Sequence, residues 1–319
     1  MRILLTGAGF TRNWGGLLAS EFVGELCGRL QNRPHMNEML RVQNNFEETL
    51  GIRRSFVTSA PGDQAAEDVR QLEAAIIETF REMNTAIAKR ALNSANDVPC
   101  SIRRFLARFD AIYSLNQDLF FELHYDQMEL ESDGRWHGYY FPGVAVSPEF
   151  RNAARAIDRV TFELTALNEV TRERGVQPIY KLHGSSNWRT EGGERVLVIG
   201  TGKEETISGN RLLSQYQRSF RADLRKGKTE LMTVGYGFAD THINALLLQA
   251  ARESELSFFL VDPRGTAAFS SHQGRSGNGR NELLEIPNAG ICQRQFSEVF
   301  ANADNVSFRS FERFLGVRR

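Results

Sequence analysis

The 319-residue chain carries 39 Lys plus Arg against 39 Asp plus Glu, so its net charge is zero and a global electrostatic draw toward nucleic acid is excluded. With 41% hydrophobic and 24% charged residues it has the composition of a soluble globular protein, long enough for a large core. No apolar run approaches a bilayer span, and Ile3-Leu4-Leu5 is too short for the apolar core of a secretory leader, so neither membrane insertion nor export is expected.

Taken in chain order, residues 2–6 read as a strand that turns at Gly7-Ala8-Gly9 toward a helix over 14–30. Residues 31–62 show no clean period and contain Pro34 and Pro61, which predicts short helices and loops. Over 67–92, Val69, Leu72, Ile76, Ile77, Phe80, Met83, Ile87 and Leu92 fall on one stripe of a long helix. A short helix at 102–109 leads to a strand at 111–115, after which helical spacing resumes to 125. Residues 131–148 are rich in Gly, Pro and aromatics and predict a loop or hairpin excursion, and 150–174 a helix. Strands follow at 178–182, 195–199, 231–234 and 256–261, with helices at 210–226 and 241–253 and a further strand at 305–310. Asp240 stands where a helix cap belongs. Strands alternating with helices predict an α/β fold, a doubly wound and mostly parallel sheet in a single domain over 1–319, with a helical insertion at about 31–108.

Ligands of such sheets bind outside the carboxyl ends of the strands. Here those ends carry Gly7-Ala8-Gly9, Asn116 with Asp118, His183-Gly184 and Gly235-Tyr236-Gly237. Gly7 and Gly9 allow close backbone approach to a phosphate, although the same pair also serves a plain tight turn. The dehydrogenase pattern G-x-G-x-x-G fails, because Arg12 replaces its last glycine. The run Gly200-Thr201-Gly202-Lys203 is not a P-loop: Leu197 stands at the first glycine and Glu204 at the magnesium-binding hydroxyl. His183 can take a proton near neutral pH, or it can be a histidine bonded beneath a turn. Asn116 and Asp118 can cap a helix, but a cap needs only one of them. His242, two residues from Asp240, reads as a local pair at a helix start with no catalytic implication. The three cysteines, Cys27, Cys100 and Cys292, form no C-x-x-C and no zinc-ligand spacing.

In this order the motifs resemble the sirtuin family: Gly7-Ala8-Gly9-Phe10-Thr11, then Ser114-Leu115-Asn116-Gln117-Asp118, then Leu182-His183-Gly184, then Gly235-Tyr236-Gly237. The chain looks most like the sirtuin-like bacterial antiviral-defence proteins, through Lys181-Leu182-His183-Gly184-Ser185 with Trp188 and the stretch GYGFADTHIN at 235–244. It departs from sirtuin deacylases in having no cysteine between Cys100 and Cys292, where their four-cysteine zinc module would stand, and in lacking their peptide-clamping Phe-Gly-Glu stretch. The resemblance therefore implies an NAD+ hydrolase with NAD+ as substrate and no zinc. It implies His183, Asn116 and Asp118 as catalytic residues, with Gly7, Ala8, Gly9 and Thr11 at the pyrophosphate and Gly235, Tyr236 and Asp262 toward the adenosine half. Protein deacylation, ADP-ribosyl transfer and non-catalytic NAD or ADP-ribose binding are the alternatives. The family also implies a cytoplasmic effector of abortive infection that forms homo-oligomers. Such an effector is restrained by assembly or by a partner such as an Argonaute-like protein or a hexameric translocase ATPase, without direct nucleic-acid binding.

Overall fold

A computed structural model of the chain describes residues 1–59, 63–90, 102–125, 135–146, 161–164, 172–301 and 305–316. Strand β1 (Arg2–Thr6) is apolar and buried from Ile3 onward, as a central parallel strand covered on both faces must be. It turns through the single helical turn α1 (Ala8–Thr11) and a tight turn at Arg12–Trp14. Gly15, left-handed at φ 91°, ends that turn, so the expected 14–30 helix starts later, as α2 (Ala19–Arg29).

The insertion is helical. α3 (Pro34–Gln43) opens on proline at its first position, where no backbone donor is needed. α4 (Phe46–Ser59) is capped by Asn45, whose Oδ1 accepts from the Glu47 and Glu48 amides at 3.0 and 3.3 Å. α5 (Asp63–Ala88) buries Leu72, Ile76, Phe80, Met83 and Ile87 of the expected stripe, with Val69 and Ile77 half-buried and Leu92 outside the described residues. A short α6 (Ile102–Leu106) returns the chain to the sheet.

The remaining elements are β2 (Ala111–Ser114), α7 (Phe120–His124), β3 (Tyr139–Tyr140), β4 (Val144–Val146), β5 (Phe162–Leu164), β6 (Gln177–Lys181), β7 (Gly184–Arg189), β8 (Arg195–Leu197), α8 (Lys203–Gly209), α9 (Arg211–Leu224), β9 (Thr229–Val234), α10 (Thr241–Glu253), β10 (Leu256–Val261), β11 (Asn288–Cys292), α11 (Phe296–Ala301) and α12 (Asn305–Phe314). Seven strands form a sheet in the order β11-β10-β9-β1-β2-β6-β3, every pair parallel. A second sheet, β4-β5-β7-β8, is mixed. The expected α/β class, a doubly wound parallel sheet flanked by helices, is what forms.

Three local expectations are corrected. Residues 305–310 are helical, because Phe311, Phe314 and Leu315 bury one face at helical spacing, and a short apolar run does not distinguish strand from helix. The helix expected at 150–174 lies largely outside the described residues, and its described part at 162–164 is strand β5. The stretch Gly184–Arg189, whose pattern predicts no element, is β7, a polar strand anchored by the fully buried Trp188.

Sheet order reverses at β1: the chain runs β1 to β2 to β6 on one side, then returns to place β9 on the other. The crevice at this switch point is narrowed by two turns packed backbone against backbone. The Gly7 amide donates to the Val234 carbonyl and the Gly9 amide to the Gly235 carbonyl, each at 3.0 Å. A Cβ on Gly7 would lie 2.6 Å from Gly235 O, and one on Gly9 2.7 Å from Gly235 Cα. Gly235 is itself left-handed, at φ 63°, and any Cβ there would collide with Gly9 and Phe10. Gly235→Ala therefore combines left-handed strain with overpacking and is expected to cost about 2–5 kcal/mol of stability. Urea denaturation checks this; a variant as stable as the parent would show that the two turns separate freely.

Candidate active site

The carboxyl ends of β1, β2 and β6 bring residues from three distant stretches into one buried polar cluster. Asn116 Nδ2 donates to Thr11 Oγ1 at 3.2 Å, and the Thr11 hydroxyl donates to the Ala8 carbonyl at 3.3 Å, while Thr11 also favours the charged form of the neighbouring Asp118 carboxyl. The Leu115 backbone, one residue before Asn116, partly opposes the lowering of the His183 ring by burial. All four polar residues are nearly sealed from solvent, with Asp118 5% and His183 2% exposed. Asp118 Oδ1 also accepts the Phe120 amide at 3.0 Å, and burial pushes its carboxyl up although Lys181 stands near.

His183 sits between β6 and β7, and the glycine after it explains how. Gly184 is left-handed at φ 72°, and a Cβ there would collide with the Val196 carbonyl of β8. The Val198 amide donates to the His183 carbonyl at 2.9 Å, tying the histidine to the second sheet. Around its ring lie groups that sequence reasoning did not assemble. His183 Nε2 is 3.3 Å from His242 Nε2 and 4.0 Å from Asp240 Oδ1. Lys203 Nζ bridges Asp240 Oδ1 and Glu47 Oε2, at 2.8 Å from each.

Burial pushes His183 down to about 3, the Asp240 charge opposing and Lys203 and His242 adding to the effect. Burial likewise lowers His242. Burial alone would lower Lys203, but Asp240 and Glu47 outweigh it and hold the ammonium charged. Burial would raise Asp240, yet His183, the Lys203 charge and hydrogen bond, and His242 hold it below its ordinary value. The unliganded site is therefore a neutral imidazole pair beside a carboxylate, and the Asp240 charge is what opposes the burial that disfavours protonation of His183.

Asp240 corrects an expectation. It occupies the cap position of α10, but its side chain makes no cap bond and is held by Lys203 instead. The motif GYGFADTHIN shapes this loop. Phe238 is left-handed at φ 54°, Asn244 Nδ2 donates to its carbonyl at 2.8 Å, and Tyr236 Oη donates to Asn244 Oδ1 at 2.9 Å. Tyr236, expected at a cofactor, is thus a buried prop of the loop that carries Asp240 and His242. The amides of Gly7 and Gly9, expected to face a phosphate, are bonded to the β9 turn. Ala8 lies in α1 between them. Asp262, at the end of β10 and two strands from β1, binds Arg264 through its amide (2.8 Å), Nε (3.0 Å) and Nη2 (3.1 Å). Lys203 belongs to the run set aside as a failed P-loop, and Glu47 to the insertion.

Behind the cluster, Lys181 and Glu122 form a fully buried ion pair at 2.7 Å, joined by Ser185 Oγ at 2.6 Å from Lys181. Lys181 also donates to the Asp118 carbonyl, so the pair braces the Asn116–Asp118 loop. Among the described residues, Glu122 Oε2 has no partner, and burial raises this carboxyl. Among the described residues, no three or more His, Cys, Asp or Glu side chains are placed to hold a metal ion, and no helix is long and apolar enough to cross a membrane.

Comparison with known families matches residues 110–282, more than half of the chain, to a family described as a SIR2-like domain. No curated protein matches the chain.

Two outcomes follow from the buried charges. Lys181→Met, which strands the Glu122 carboxylate, is expected to cost about 3–5 kcal/mol in urea denaturation, and adding Glu122→Leu to restore most of it. Equal losses in the single and double variants would refute the pairing. Native His183 stays neutral while the unfolded chain's histidine protonates near its ordinary value of 6.5. Its contribution is therefore complete above that value and lost progressively as pH falls from 6.5 toward about 3. Between pH 7.5 and 5, His183→Asn should lose about 2 kcal/mol less than the parent.

Proposed function

The chain belongs to the SIR2-like domain family, whose domains use NAD+, and from that premise we propose that it hydrolyses NAD+ to nicotinamide and ADP-ribose. The observation that supports this reading is the cluster joining Thr11, Asn116, Asp118 and His183 across three strand ends.

In this mechanism the glycosidic C–N bond breaks and its electron pair leaves with nicotinamide, which departs neutral because the pyridinium is already cationic. No general acid is required at that step. The ribose is left as an oxocarbenium-like centre, and the site's task is to hold the sugar, stabilise the positive charge and direct water to it. Water oxygen bonds to the anomeric carbon while His183 takes its proton and later releases it to solvent. Asn116 orients the ribose and the water. Asp118, drawn toward the charge that develops, faces the cationic centre or the nicotinamide carboxamide. Thr11 fixes Asn116 and Asp118 relative to each other. Gly7, Ala8 and Gly9 form the close-packed wall beside the pyrophosphate, and Gly235 and Asp262 lie on the adenosine side.

Hydrolysis is favoured over deacylation because the chain has no cysteine between Cys100 and Cys292 to build a zinc module that presents a peptide. As a family role we propose a toxic effector of antiviral defence. Its activity is released by self-assembly or by a partner such as an Argonaute-like protein or a hexameric translocase.

Nicotinamide release from NAD+ by the purified protein, across protein concentration and with and without proteins encoded beside it, tests the activity. His183→Ala and Asn116→Ala should each lower release by about 100-fold or more. Release that persists in His183→Ala would overturn the mechanism, and release that requires a peptide or protein acceptor would replace hydrolysis by transfer.

A further inference from the structure

Glu47, Lys203 and Asp240 come from α4, α8 and the turn before α10, yet they meet in one line ending at the imidazole pair. Lys203 makes two contacts of equal length, to two carboxylates that would otherwise repel each other in a half-buried setting. Asp240 meanwhile leaves unmade the bond that its position offers. It stands at the cap of a 13-residue helix, in extended backbone conformation, with no side-chain bond to the helix amides. Capping is the ordinary use of an aspartate there. Lys203 thus competes with the helix for this carboxylate and keeps it on the side facing His183.

We propose that Lys203 is a positioning residue for His183, holding the Asp240 carboxylate away from the helix cap and beside the His183–His242 pair. The inference rests on the hydrolytic reading given above. When His183 takes a proton from the attacking water, an O–H bond breaks, an N–H bond forms, and an imidazolium develops about 4 Å from Asp240. The held carboxylate offsets that charge without moving, so reorganisation during the step is avoided. Glu47 fixes the far side of Lys203, so the helical insertion completes the site.

A double-mutant cycle tests this. Lys203→Met and Asp240→Asn are each expected to lower kcat for nicotinamide release by about 10-fold or more, with KM for NAD+ changed less than about threefold. Because Lys203 acts through Asp240, the double variant should be no slower than Asp240→Asn alone, and Lys203→Arg should recover most of the parent rate. Multiplicative losses in the double variant, or no loss in Lys203→Met, would overturn the proposal. Histidine ring NMR of the unliganded protein separates this from the activity itself. Lys203→Met and Asp240→Asn should move the His183 ring signals alike and Lys203→Arg should leave them in place, whether or not NAD+ is the substrate. Unmoved signals in Lys203→Met would refute the positioning role.

Discussion

The close approach of two backbone turns, Gly7–Gly9 after β1 and Gly235 after β9, is the constraint on which the rest of the site depends. A Cβ on Gly7, Gly9 or Gly235 would collide with the facing turn, so the two exits approach only because these positions are glycine. Here the exits remain bonded to one another, Gly7 to Val234 and Gly9 to Gly235. The chain leaving β9 is therefore turned sharply, through left-handed conformations at Gly235 and Phe238, and delivers Asp240 and His242 above the end of β6. With bulkier turns the loop would swing outward and His183 would lose both neighbours.

The helical insertion supports the site from the other side. Asn84 of α5 accepts the Leu119 amide at 2.9 Å and donates to Ser186 Oγ at 3.0 Å, holding the Asn116–Asp118 loop against β7. Glu47 of α4 anchors Lys203. The insertion is thus built into the polar framework, a consequence of packing many polar groups where water is scarce. Each buried donor or acceptor must find a protein partner, and the nearest elements supply them. The Lys181–Glu122–Ser185 network shows the same demand: two charges in a dry interior persist because they bond one another and, through Lys181, the Asp118 carbonyl.

Much of the frame was legible in the sequence. Continuous apolar strands such as Ile3-Leu4-Leu5 and the stripe of α5 specified a parallel sheet and a long amphipathic helix, since burial on both faces or on one stripe leaves a direct pattern. The polar residues at strand ends marked where a ligand would bind, and Thr11, Asn116, Asp118 and His183 do meet there. The short, polar β7 and the C-terminal α12 escaped because their patterns are compatible with more than one conformation.

What the sequence determined by itself was the set of strand ends and the residues standing on them, because hydrophobic periodicity is a local property that folding preserves. What only the tertiary structure decided was the partner of each charge. Asp240 reads as a helix cap and Lys203 as the end of a run that fails the P-loop pattern until the fold brings them to 2.8 Å. Glu47 lies 156 positions before Lys203, and no local pattern records that they bind the same charge. A carboxylate chooses among the donors that folding places within reach, and that choice is set by distance in space.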